Sequence, residues 1–440
     1  MKVVNKFTVV AVAAATLLAL AGCGGSGDKG NAQSGIAGAT ANLNKLDLGT
    51  VTLNVWAPQQ NLQPGPNGKT HIKQIEADFQ KAHPGVKFKN AVVGEADAGK
   101  TVGQDPTAAA DVYMYANDQL GALIKANGVG AQSNADIINS VKIQNSSIML
   151  DSVTQDGKIY GVPYTGNTWF MYYNNSMLNK NDVKSLDTML SKAKIAFPLA
   201  NSWYFPAFYF GAGGTLYGSK GTDASAGVEF NKPDVTKYLV NLAKNPNYDI
   251  STPGLAGDDA GLKAFEAGKV AAYFSGTWDG SVIKDKLGDK MSAAQLPTYT
   301  MNGKENQMKS FAGSKAVGWN PSAKIHDGNT KAAQQKAAQV FAAYLGGTQS
   351  QRYMYEDYGQ IPSDVTLTKD AKIKADPIAT AQFATIANTS VLQPTLDIMN
   401  NNFWTPATNF GANLANGTVT LDNAVAQTTA FNNSLNGKTN

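Results

Sequence analysis

The sequence predicts an α/β fold with many crossovers, spread over two or three domains. Strand-like and helix-like periodicities alternate along most of the chain. No repeat period or heptad run interrupts them. The length of 440 residues exceeds what one compact core usually organises.

The elements follow in order. Val51-Thr52-Leu53-Asn54-Val55-Trp56 alternates with strand period. Ile72, Ile75, Phe79 and Ala82 recur at helical spacing, and His83-Pro84-Gly85 stops that helix. Val86 to Val93 reads as a strand, Asp111 to Tyr115 as a short buried strand, and Gln119 to Ala126 as a helix. Lys158 to Tyr164 is a strand closing on a Gly/Pro break, and Trp169 to Tyr173 is another. A helix around Val183, Leu186, Met189 and Leu190 starts behind Asn181 or Asp182. Pro233 suits the first turn of a helix through Leu242, because its missing N–H is not needed there. Leu262 and Phe265 lie on a helix stopped by Gly268, and strand Val270 to Phe274 follows directly. Lys331 to Leu345 is Ala/Gln-rich and helical, a short helix carries Tyr353 and Tyr355, and the last helix begins near Thr420.

Composition excludes several classes of function. Apolar residues make up 43%, enough for folded cores. Net charge is only +4, without the concentrated basic face of a nucleic-acid binder. Arg352 is the only arginine, which disfavours ligands needing several bidentate clamps. Cys23 is the only cysteine, so no intrachain disulfide, thiolate zinc site or iron–sulfur cluster can form. His71, His83 and His326 are far apart and form no metal-binding pair. No metal or other cofactor is expected.

The N-terminus reads as an address. Lys2 and Lys6 precede an apolar run from Phe7 to Gly22, too short for an ordinary membrane span and typical of a signal peptide. Leu20-Ala21-Gly22-Cys23 resembles the bacterial lipobox. That resemblance implies cleavage of residues 1–22 and diacylglycerol on the Cys23 sulfur. Residues 24–48 are rich in Gly, Ala, Asn and Ser, and read as a flexible tether. The expected location is extracytoplasmic, anchored to the cell membrane as a lipoprotein, and the absence of disulfides fits a Gram-positive surface.

Catalytic signatures are missing. There is no phosphate-binding G-x-x-x-x-G-K-S/T, no H-E-x-x-H, no calcium loop and no G-x-S-x-G elbow. Gly211-Ala212-Gly213-Gly214 reads as a turn, not a phosphate cradle. A carboxylate pair of the glycosidase kind can still come together in the fold. The positive signal is aromatic. Trp203 follows Asn201-Ser202, Trp278 follows Ser275-Gly276-Thr277, and Trp404 follows Asn400-Asn401-Asn402-Phe403. A sugar ring offers an apolar C–H face to an aromatic plane, and a rim of hydroxyls to Asn, Asp, Gln or Glu. A tryptophan is equally at home in a core; loop positions beside polar residues turn these three towards a cleft.

From about residue 50 to 435, the order of motifs resembles the extracellular solute-binding proteins of ABC importers, specifically the maltose/maltodextrin-binding group. Val51 to Ala57 resembles the family's first strand with its tryptophan, here Trp56. Asp111-Val-Tyr-Met-Tyr-Ala-Asn-Asp-Gln resembles D-I-I-F-W-A-H-D-R, with Tyr115 at the aromatic, Asp118 at the acid and Gln119 replacing the basic residue. Gly157 to Pro163, then Tyr172-Tyr173-Asn174, resembles the hinge strand and Y-N signature, and Asn167 stands where maltose binders place a glutamate. Asn201-Ser202-Trp203-Tyr204 resembles the sugar-stacking E-P-Y-F. Phe265-Glu-Ala-Gly-Lys-Val-Ala-Ala-Tyr to Gly276-Thr277-Trp278 resembles F-x-x-G-x-x-A-M, a strand and G-P-W. Phe403-Trp404 resembles a late stacking F-W.

The resemblance implies a two-lobed periplasmic-binding-protein-like fold of type II, with residues 49–162 and 312–366 in one lobe and 163–311 and 367–440 in the other. The chain would cross near 160–166, return near 300–312 and cross again near 364–370. Trp56, Tyr115, Asp118, Gln119, Asn167, Asn201, Trp203, Tyr204, Trp278 and Trp404 would bind ligand. The implied function is capture of maltodextrin-type oligosaccharides and delivery to the transmembrane subunits of an ABC permease, by a monomer without catalysis. The alternatives are a binding protein for another oligosaccharide and a surface glycosidase. Amides in place of cleft carboxylates argue against the second.

Overall fold

A computed structural model describes residues 29–65, 67–249 and 260–438. The expected signal peptide and the expected lipidation site, Cys23, lie outside the described residues. Among the described residues no helix is long and apolar enough to cross a membrane.

Within the segment expected to be a tether, Lys29–Asn44 forms a helix, α1. The tether reading is therefore corrected over this stretch. Ile36, Ala39 and Leu43 recur at helical spacing and are buried. They pack α1 against α4 (Ala135–Gln144), and a Cβ added to Gly35 would lie 3.1 Å from Ile143 Cδ1. The small-residue composition disguised an apolar stripe that needs a partner face to become stable.

The first sheet contains β1 (Val51–Ala57), β2 (Val86–Val92) and β3 (Val112–Ala116), joined in parallel through β1. Between these strands run α2 (His71–Ala82) and α3 (Glu95–Gln104). The strand β4 (Gly161–Thr168) leaves this lobe. The second lobe holds β5 (Phe170–Asn174), β6 (Ile195–Ala196), β7 (Ala272–Ser275) and β8 (Met291–Ala294), in the order β8-β5-β7-β6. A hairpin over Thr298–Gln307 stays with the second lobe. After the hairpin the chain runs through β9 (Ser310–Trp319), which begins within the expected return at 300–312.

The strand β9 pairs antiparallel with β3 and with β4, and its first residues pair in parallel with β10 (Ser390–Leu392). Between β9 and β10 lie α5 (Lys331–Leu345) and α6 (Thr348–Tyr358) on the first lobe, and α7 (Pro377–Asn388), which packs on β8. The register of β4 shifts opposite Lys315 and Ala316, leaving Tyr164 as the extra residue of a bulge. Each lobe has its own apolar core. Leu53, Val55, Phe79, Met114 and Phe341 centre one; Trp169, Phe197, Phe208, Phe274 and Phe431 centre the other.

Candidate functional site

Two adjoining cavities open where the lobes face each other. The first, of about 340 Å3, is lined by Glu95, Asp118 and Gln119 from one lobe and by Trp203 and Trp404 from the other. The second, of about 430 Å3, has Gln60 and Tyr358 on one side and Trp278 and Lys284 on the other. Asn167 on β4 and Lys315 on β9 line both, so the crossing strands form the shared floor. A larger apolar cavity, of about 540 Å3, lies beneath α1 beside Ile36, Leu43, Ile137 and Val141. None of the expected ligand-binding residues lines it, and it lies within the first lobe, away from the facing walls.

The aromatic wall of the first cavity is built by packing. Trp203 stacks on Phe311 with centroids 5.2 Å apart, and Trp404 stands 6.0 Å from Trp203. Asn201 Oδ1 accepts the Trp203 N–H at 2.8 Å, and the Trp203 carbonyl accepts the Trp169 indole N–H at 3.0 Å. These bonds fix the loop before the ring is needed. In the second cavity Trp278 is 52% exposed. A Cβ added to Gly276 would lie 2.1 Å from the Trp278 ring, so this glycine lets the indole lie flat against the backbone.

The polar side is organised by α3. Gln119 accepts the Gly99 N–H at 2.9 Å and donates to the Ala96 carbonyl at 2.6 Å, tying the loop after β3 to that helix. Burial pushes the Asp118 carboxyl above the usual aspartate range. Glu95 is buried, accepts the Tyr164 hydroxyl at 2.7 Å and pairs with Lys315 at 3.2 Å. The bulge in β4 aims Tyr164 at this carboxylate.

Of the ten expected residues, Asp118, Gln119, Asn167, Trp203, Trp278 and Trp404 line the two cavities. The other four do not. Tyr115 is fully buried in the first lobe's core, 5.9 Å from the Tyr113 ring. Tyr204 is buried against Trp169 at 4.8 Å. Burial raises the hydroxyl pKa of both tyrosines. Trp56 packs half-buried against the first core, and Asn201 serves the turn before Trp203. Alternation explains Trp56: its neighbours Val55 and Ala57 are fully buried and it takes the other face of β1.

Glu95, Lys315 and Gln393 are cavity residues that the sequence reading missed. Lys315 carried a faint signal, a single charge inside the run Phe311 to Trp319. Glu95 and Gln393 come together with it only through the sheet.

Residues 74–381 match the family described as bacterial extracellular solute-binding protein. A solved structure with acarbose is 39% identical and covers 88% of this chain and 99% of its own, with a TM-score of 0.77. A maltooligosaccharide ABC transporter solute-binding lipoprotein of Streptococcus pneumoniae is 24% identical over 410 residues, 84% of this chain and 90% of its own length. A galactooligosaccharide-binding protein of Bacillus subtilis is 25% identical over 427 residues, 92% of this chain and 91% of its own.

Proposed function

We infer that this chain, which belongs to the bacterial extracellular solute-binding protein family, captures maltodextrin-type oligosaccharides between its lobes and delivers them to an ABC permease. The observation that carries the reading is the pairing of Trp203, Trp404 and Trp278 on one lobe with carboxylates and amides on the other. Indole faces cover the apolar faces of pyranose rings, and Asp118, Gln119 and Asn167 meet the hydroxyl rim. A ligand touching both walls binds the closed arrangement better than the open one, so it draws the lobes together. No covalent step is needed. Residues 49–162 and 312–366 form one lobe in this reading, and residues 163–311 and 367–440 form the other.

The relative from Streptococcus pneumoniae supports the sugar class, the importer and a lipid anchor, here on Cys23. The relative from Bacillus subtilis favours a second reading, in which the same architecture takes galactooligosaccharides. Isothermal titration calorimetry on residues 24–440, with maltotriose, maltopentaose and a galactotriose, separates the two. Saturable heat with maltotriose recovered intact supports the first reading, and heat with the galactotriose alone supports the second. Cleaved sugar would overturn both in favour of a hydrolase.

A further inference from the structure

We propose that Gln393 is a specificity-determining contact, reading one hydroxyl of the bound sugar from the floor of the first cavity. This rests on the oligosaccharide reading above and extends it to a residue outside the aromatic walls. Gln393 is 2% exposed yet lines the cavity, and its Oε1 has no hydrogen-bond partner among the described residues. A buried amide oxygen that accepts from no protein donor carries a desolvation cost that a ligand hydroxyl, donating to it, can offset.

Its position is rigidly set. The Gln393 N–H donates to the Ala312 carbonyl on β9 at 2.8 Å. The Gln393 carbonyl accepts from Asn117 Nδ2, on the loop after β3, at 3.3 Å. Two residues on, the Thr395 carbonyl accepts the Gly121 N–H at 2.9 Å. Gln393 is therefore pinned where the last crossing segment leaves β10 and meets the first lobe. The same cavity holds the Lys315–Glu95 pair and the Trp203 and Trp404 rings. A neutral pyranose fits this company: faces for the indoles, a donor hydroxyl for Gln393 Oε1, and acceptor oxygens for the Lys315 ammonium. A ligand carrying a carboxylate or phosphate fits poorly, because Glu95 and Asp118 share the wall.

The test uses Gln393→Met, which keeps length and removes the amide. Wild type and variant are titrated with maltotriose and its monodeoxy analogues, and folding is checked by thermal melting. The variant is expected to bind maltotriose about ten-fold more weakly, the usual consequence of losing one buried polar contact. One deoxy analogue should bind wild type with a similar loss, yet bind the variant no worse than maltotriose does. Gln393→Asn withdraws the amide by one methylene and answers the same question if the methionine variant fails to fold. Equal affinity of wild type and variant overturns the proposal, and so does a loss that is the same for every analogue. If wild type binds only galactooligosaccharides, the same comparison with deoxy galactosides decides it. If wild type binds no oligosaccharide, the functional reading itself fails and the proposal falls with it.

Discussion

Trp278 shows how a single residue can be exposed and still ordered. Its ring rests on Gly276, leaving one face to the second cavity. Trp278→Ala should weaken sugar binding by about 1–3 kcal/mol, as loss of an aromatic anchor does. Unchanged affinity in calorimetry would make the residue structural. Gly276→Ala should also weaken binding, because its methyl would displace the ring; tryptophan fluorescence of the free protein would report the displacement. His71 illustrates the opposite case. It is fully buried between Asn61 and Ser350, and burial pushes its pKa from 6.5 down to about 3. The folded form therefore prefers the neutral ring, while the unfolded chain binds a proton below pH 6.5. Stability from this group is complete above pH 6.5 and falls as pH drops towards 3. The slope is at most about 1.4 kcal/mol per pH unit. Urea unfolding between pH 7 and 5 should show it, and His71→Gln should flatten the dependence.

At the scale of elements, α1 is the informative one. Alanine, glycine and asparagine dominate its sequence, and it stands as a helix because Ile36, Ala39 and Leu43 find a face on the first lobe. Leu43→Ala should cost about 2–4 kcal/mol in unfolding free energy, the range for a buried leucine. A cost near zero in urea titration would show that α1 is detached in solution and restore the tether reading. The pair β4 and β9 matters differently. Both strands cross between lobes, and both carry a cavity residue, Asn167 and Lys315. Their sheet pairing gives these side chains a fixed base, about which the lobes would move in the proposed closure.

At the scale of the whole molecule, the proposed function couples binding to shape. In the proposed reading, a ligand held by Trp203 and Trp404 on one lobe and Asp118 on the other favours the arrangement in which all three are in reach. Small-angle X-ray scattering should therefore show a smaller radius of gyration with saturating maltotriose than without it. Ligand at a hundred times its dissociation constant should add about 2.7 kcal/mol of stability, visible as a rise in melting temperature. Heat of binding without compaction would place the sugar on one lobe alone.

The alternation of Val51 to Ala57, the helical spacing of Ile72 to Ala82 and the Gly and Pro stops are local properties, and they made the α/β class and most elements legible. Trp203, Trp278 and Trp404 stood out because each follows polar or small residues, and the structure places Trp404 at the start of the helix Trp404–Ala415. Tyr115 and Tyr204 misled because motif position does not say which face of a strand or turn meets the core, and burial decides that. Glu95, Lys315 and Gln393 were out of reach because they converge from α3, β9 and the segment after β10. Local sequence sets backbone preference over a few residues. Which distant side chains share a cavity is settled only when the two cores form and the crossing strands pair between them.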